Sequence, residues 1–307
     1  MPWVARAQTR HRRIGVLHNA NAQIASPSID AFREGLRAHG WIEGQNISID
    51  YRWADGDMDR ELGLARELVK LPVELVVTAG PQAVRAVRQA GSAVPVVAAI
   101  MPDPVAEGFA ESLAHPGGNI TGLTNLFENL TPKQLQILKE TMPKATRVAL
   151  LSDPDMGGGV QASTEAAARM LGINAIVLLI REATDLEGAL SAAKAQGADA
   201  VHVLPSPFFD RYRRRIAELA AAARLPTISE SALYVRDGGL MSYGPSFPDM
   251  WRAAASYVDR ILKGARPADL PIEQPAKFEL VINLRTARAI GLSIPQAILL
   301  RADSLIE

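Results

Sequence analysis

The sequence predicts an α/β protein built of two parallel-sheet, Rossmann-like lobes joined by a multi-strand hinge. Three observations predict it. Short apolar runs rich in valine and isoleucine alternate along the chain with amphipathic stretches of ten or more residues, the pattern of parallel strands joined by helical crossovers. The alternation runs once to about residue 122 and starts again after it. At 307 residues the chain is long enough for two domains of roughly 150 residues each.

The elements follow in order. Arg13–His18 reads as a first strand, and the polar loop from Asn19 through Asn21 to Ser26 leads to a helix expected to begin at Pro27, with Ile29, Phe32 and Leu36 on one face. His39-Gly40 ends that helix. Ile47–Trp53 is a second strand, residues 58–70 a helix, and Leu75–Thr78 a third, buried strand. It ends in Ala79-Gly80-Pro81-Gln82, where glycine permits close backbone approach and proline suits a helix start. That corner reads either as a carboxylate-binding helix N-terminus or as a plain tight turn.

The segment 95–125 closes the first run: a strand from Pro95, a break at Met101-Pro-Asp103-Pro, a helix carrying Val105, Phe109 and Leu113, a glycine turn, and a strand from Ile120. The second run begins with a helix expected to start at Thr131-Pro132. Strands at 147–151, 174–180 and 200–204 alternate with helices, and Pro226–Glu230 reads as the last parallel strand, after which Gly239–Tyr243 returns the chain. Gly157-Gly-Gly159 lacks the Lys-Ser/Thr of a phosphate-binding loop. The expected domains are a tail of residues 1–12, a first lobe of 13–122 rejoined by about 246–265, a second lobe of 123–245, and a segment 266–307 of either lobe.

Composition limits the function. Lys plus Arg equals Asp plus Glu, 33 each, so no overall field favours nucleic acid or an anionic membrane. The absence of cysteine excludes disulfides, thiolate metal sites, a cysteine nucleophile and a lipid-anchoring cysteine. No apolar run has the length of a membrane span. The five histidines form no metal-ligand spacing, and neither a nucleophile elbow nor a dinucleotide-binding loop occurs. No metal, cofactor or catalytic residue is expected. Val4-Ala-Arg-Ala7 before Gln8 has the small-x-small pattern of an export-signal cleavage site, read as a signal remnant, against the alternative of a tail without function.

Several motifs carry a resemblance. Asp103-Pro104-Val105 with Gly108, PGGNITG at 116–122 and LMSYG at 240–244 fit one family, as do LPIEQP at 270–275, FELVIN at 278–283 and AIGL at 289–292. They resemble the solute-binding proteins of ABC transporters, in the family that includes tryptophan and aromatic-amino-acid binders. The resemblance implies the class I periplasmic-binding-protein (Venus flytrap) architecture, no enzymatic activity, a periplasmic location, permease subunits as partners and a monomer. It also implies an amino acid ligand, aromatic or large and apolar, bound between the lobes. The helix 247–262 is placed on the first lobe by the same analogy.

In open parallel sheets ligands bind beyond the strands' carboxyl ends, which directs attention to the polar groups there. In the first lobe these are Asn19, Asn21, Gly80, Pro81, Gln82, Met101 and Asp103; the resemblance implies a ligand carboxylate held at helix N-termini near Gly80, Pro81, Gln82 and Met101 to Asp103, with Asn19 and Asn21 as the remaining polar candidates. In the second they are Asp153, Met156, Ser206, Pro207, Phe208, Glu230 and Tyr243. Glu230 is expected to meet the ammonium, with Asp103 as competitor, and Phe208, Tyr243 and Met156 to wall a side-chain pocket. Each has a structural alternative: turn formation for Asp153 and Asp155, capping for Glu230, core packing for the rings and for His202. The basic run Arg211, Arg213, Arg214, Arg215 reads as a solvated helix face. Two other functions share such a fold: a ligand-sensing domain of a regulator, and an α/β enzyme using Asp153 or Asp155. A binder of aromatic or carboxylate metabolites that lack an amine is the remaining alternative.

Overall fold

A computed structural model describes residues 11–91, 93–125, 127–156, 158–275 and 277–307. The small-x-small pattern at 4–8 and Gly157 lie outside the described residues. The chain divides into two compact units, one of Met1–Asn125 with Phe247–Pro275, the other of Leu126–Ser246 with Ala276–Glu307.

In chain order the first unit contributes β1 (Arg12–His18), α1 (Ala22–Ala38), β2 (Ile47–Trp53), α2 (Met58–Lys70), β3 (Val76–Ala79), α3 (Pro81–Gln89), β4 (Val96–Met101) and β5 (Ile120–Thr124). Their sheet has the order β2-β1-β3-β4-β5 and is parallel throughout. Successive residues point to opposite faces, so Val77, Val97 and Ala99 enter one apolar cluster and Val76, Val96 and Ala98 another. Burial on both faces explains why these strands are continuous apolar runs rather than alternating ones.

The second unit adds α4 (Phe127–Thr141), β6 (Arg147–Ser152), α5 (Gly159–Met170), β7 (Asn174–Leu179), α6 (Asp185–Ala195), β8 (Ala200–Val203), α7 (Pro207–Ala222), β9 (Thr227–Ser229), α8 (Ala232–Arg236) and β10 (Met241–Pro245). The chain then returns to the first unit as α9 (Phe247–Leu262). That helix packs on α1 at Gly35, where a Cβ would lie 2.5 Å from the Arg252 carbonyl oxygen and 2.8 Å from the Ala255 Cβ. Leu123 and Glu273 form a bridge in the first unit, after which β11 (Phe278–Asn283), α10 (Leu284–Ile290), α11 (Gln296–Leu299) and β12 (Ser304–Ile306) complete the second. Its sheet has the order β12-β11-β10-β9-β8-β6-β7.

Four local expectations are corrected. Helix α1 starts five residues before Pro27, because the Asn21 side chain caps it by accepting from the Ile24 amide at 2.9 Å. The apolar face begins with it, at Ala25, and Pro27 forgoes one interior hydrogen bond. Helix α4 likewise starts before Pro132, since Phe127 and Leu130 already lie on the buried face of Leu135 and Leu138. No helix follows Asp103-Pro104. The single turn there closes when the Gly108 amide reaches the Val105 carbonyl and the Phe109 amide that of Pro104, with Gly108 at φ 67°, a helix-terminating arrangement. Finally, β9 is not the last parallel strand: β10 runs parallel to it through the five-residue crossover α8, and only β11 is antiparallel to β10.

Candidate ligand-binding site

In the first unit the predicted residues gather at the carboxyl ends of neighbouring strands. Gly80 follows β3 with φ 88°, donates its amide to the Ile100 carbonyl at 2.8 Å and opens α3, whose first residue is the buried Pro81. Gln82, half-buried, occupies the second position of that helix. The corner thus presents helix N-terminal amides, a group that binds carboxylates. Met101 ends β4 with its side chain in the core, and its carbonyl accepts from the Asn125 amide at 3.0 Å.

Two predicted polar side chains already have local partners. An Asp103 oxygen accepts from the amides of Val105 and Ala106, both at 3.0 Å, which holds the turn. Asn21 caps α1 and donates to Asp55 at 3.0 Å. Asn19 is half-buried, and its carbonyl accepts from the Gly56 amide.

Two polar groups near these strand ends stand out in the structure and not in the sequence. Asn125, the first residue after β5, is 3% exposed, and neither side-chain polar atom has a hydrogen-bond partner. The rule that selected Asn19, the first polar residue beyond a strand, finds it too. Glu61 in the first turn of α2 is 2% exposed with one oxygen unpartnered. Burial pushes its carboxyl up to about 7, opposed by the charge of Arg85, which is itself ion-paired with Glu107.

In the second unit Asp153 follows β6 and Ser206 follows β8, neighbouring strands. The Ser206 hydroxyl donates to Asp153 at 2.5 Å and accepts from the Phe208 amide at 3.0 Å, capping α7, which begins at Pro207. The other Asp153 oxygen accepts from the Asp155 amide at 2.9 Å. Met156, half-buried, ends the short helical turn that follows.

Glu230 lies directly after β9, the next strand, and is buried. Its carboxyl is held well above the ordinary range, first by burial and then by the neighbouring charge of Asp210, whose own carboxyl burial raises to about 6 against the pull of Arg213. Gly244 of β10 lets the backbone pass close: a Cβ there would sit 2.1 Å from the Glu230 carbonyl oxygen.

The predicted aromatic walls are packed within the unit. Phe208 contacts Phe209 and Tyr212 at ring separations of 5.6 and 4.8 Å, and Tyr243 stacks on Phe278 at 5.8 Å from the middle of β10. His202 is a core residue bonded through Nε2 to Gln134 at 2.7 Å. Of the basic run on α7, Arg213 and Arg214 pair with Asp237 and Arg215 with Glu187, and Arg213 is mostly buried rather than solvated. Among the described residues no helix is long and apolar enough to cross a membrane, and no cluster of three His, Asp or Glu side chains could hold a metal.

Two doubly covered sheets, one parallel and one parallel except for the β10–β11 pair, with polar groups at their strand ends define a two-lobed ligand-binding protein of the periplasmic-binding-protein fold. Residues 14–306 match the family described as ABC transporter substrate binding protein, and the chain belongs to it; it is a binding protein and not an enzyme. A tyrosine-binding protein of Clostridioides difficile (strain R20291) is 22% identical over 275 residues, 88% of this chain and 79% of that one. Among solved structures, an ABC domain in complex with L-Trp from Streptococcus pneumonia matches with a TM-score of 0.89 at 22% identity, over 96% of this chain and all of that one. A conserved domain protein from Vibrio cholerae matches with a TM-score of 0.90 at 24% identity and the same coverage.

Proposed function

We propose that this chain is the extracytoplasmic receptor of an ABC importer, binding an amino acid with an aromatic or large apolar side chain and presenting it to the permease subunits. The ligand class rests on the two similar proteins described as binding tyrosine and tryptophan, which align with most of the chain. The observation in this chain that carries the reading is Glu230. It is a buried carboxylate at a strand's carboxyl end whose ionisation is disfavoured by burial and by Asp210, so a ligand ammonium is the partner that offsets both. The N-terminal amides of α3 supply the matching site for the ligand carboxylate.

A thermal-shift screen of ligand-stripped protein against amino acids, amine-free aromatic acids, sugars and nucleosides tests this. A ligand bound only by the folded state, at about 100 times its Kd, adds about 2.7 kcal/mol and raises the melting temperature. Shifts with Phe, Tyr or Trp that shrink in Glu230→Gln are expected. A response only to sugars, nucleosides or amine-free acids refutes the amino acid reading.

A further inference from the structure

The Asn125 side chain has no use within the first unit that the structure shows. Its backbone is fixed from both sides: its own amide donates to the Met101 carbonyl at 3.0 Å, while the preceding Thr124 donates its amide to Glu273 at 2.9 Å and its hydroxyl to Pro102 at 2.5 Å. A pinned backbone at the end of β5 leaves the side chain little freedom to seek partners elsewhere. Yet both the amide nitrogen and the amide oxygen are buried and unpartnered. A buried amide left unpaired is unfavourable, and native chains retain such groups where something else completes them. The position beyond the carboxyl ends of β4 and β5 is where a parallel sheet receives a ligand.

An amide offers a donor and an acceptor side by side in one plane. That pair complements a ligand presenting an acceptor and a donor close together, as the carboxylate and ammonium borne on one α-carbon do. Resting on the amino acid reading above, we propose that Asn125 reads the α-amino acid backbone: its Nδ2 donates to the ligand carboxylate while its Oδ1 accepts from the ligand ammonium. The carboxylate then also meets the α3 amides of the same unit. Asn125 thereby selects for zwitterionic α-amino acids over either half of that group alone.

The test is calorimetric titration of wild type, Asn125→Ala, Asn125→Leu and Asn125→Asp with L-tyrosine, L-phenylalanine and L-tryptophan. Each amino acid is compared with its amine-free arylpropionate and its carboxylate-free arylethylamine. Loss of hydrogen bonds to charged groups gives an affinity decrease of about 10- to 100-fold in Asn125→Ala and Asn125→Leu. Asn125→Asp, which keeps the shape and sets a negative charge against the ligand carboxylate, loses at least as much. The preference for the amino acid over both analogues shrinks in the same variants, and ligand-free Asn125→Leu melts no lower than wild type, since it removes an unpaired amide. Wild-type-like affinity and selectivity in these variants, with wild type binding the amino acids, overturns this inference alone. Failure of wild type to bind any of the three overturns it together with the ligand class.

Discussion

Replacing Glu61 by glutamine should change the pH dependence of the first unit's stability by an amount that the structure sets. The Glu61 carboxyl is 2% exposed and is pushed from its ordinary 4.5 up to about 7 by burial, against the opposing charge of Arg85. The folded chain therefore holds this proton more tightly than the unfolded chain. Where the unfolded state binds fewer protons, stability falls as pH rises. The loss begins near pH 4.5, where the unfolded carboxyl ionises, and is complete above about pH 7, where the folded one has ionised too. A displacement of this size corresponds to about 3 kcal/mol, at 1.36 kcal/mol per pH unit. Glu61→Gln keeps the shape and cannot ionise, so the variant gains on wild type by that amount between pH 4.5 and 7.5. Urea unfolding followed by tryptophan fluorescence reads the right unit, because Trp41, Trp53 and Trp251 all lie in it and the second unit contains no tryptophan. A difference between variant and wild type that stays flat across this pH range refutes the reasoning.

Two further substitutions probe the scaffold. Gly122→Ala places a Cβ 2.0 Å from the Ala98 carbonyl oxygen at a φ of 135°, so β4 and β5 must separate; a loss of about 3 kcal/mol or more in urea titration is expected. His202, fully buried, has its imidazole lowered to about 3 by burial, so the folded state resists a proton that the unfolded chain takes up below about 6.5. Its contribution is lost as pH falls through that interval, and His202→Gln should shift the acid-unfolding midpoint of the second unit, followed by circular dichroism, to lower pH.

The strands were legible because their residues are buried on both faces: Val76, Val77, Val96 and Val97 need no knowledge of the partner strand to read as sheet interior. Helix starts were less so, since proline marks a first turn only when no better cap precedes it. Asn21 is such a cap, but its bond to the Ile24 amide is a fact of geometry rather than of composition. The false helix at Val105, Phe109 and Leu113 shows the limit of periodicity. The spacing is right, yet only Phe109 is core, while Val105 is 45% exposed and Gly108 has already turned the chain. The direction of β10 depends on a crossover helix of five residues, shorter than α1, α2, α3, α5, α6 and α7, which run nine to seventeen residues.

The candidate site divides the same way. That polar residues at strand ends matter follows from parallel-sheet topology and could be read directly. Which of them remain available for a ligand could not, because short-range competition decides it. Asp103 has an oxygen bound by the amides of its own turn, Asp153 holds Ser206 and the Asp155 amide, and Asn21 caps a helix. Asp103 and Asn21 are matched by amides of their own loops, and Asp153 by the Asp155 amide of its own loop and by Ser206 at the end of the neighbouring strand β8. Asn125 and Glu61 instead retain polar atoms that the fold buries and does not partner. In the sequence the two kinds of residue look alike, since an asparagine or a carboxylate near a strand end suits a turn as well as a ligand. The cost of leaving a buried polar group unpaired, about 1–3 kcal/mol, separates them. That cost is tolerated where function supplies the missing partner, which makes the unpaired amide, more than the well-bonded carboxylates beside the same sheets, the informative residue.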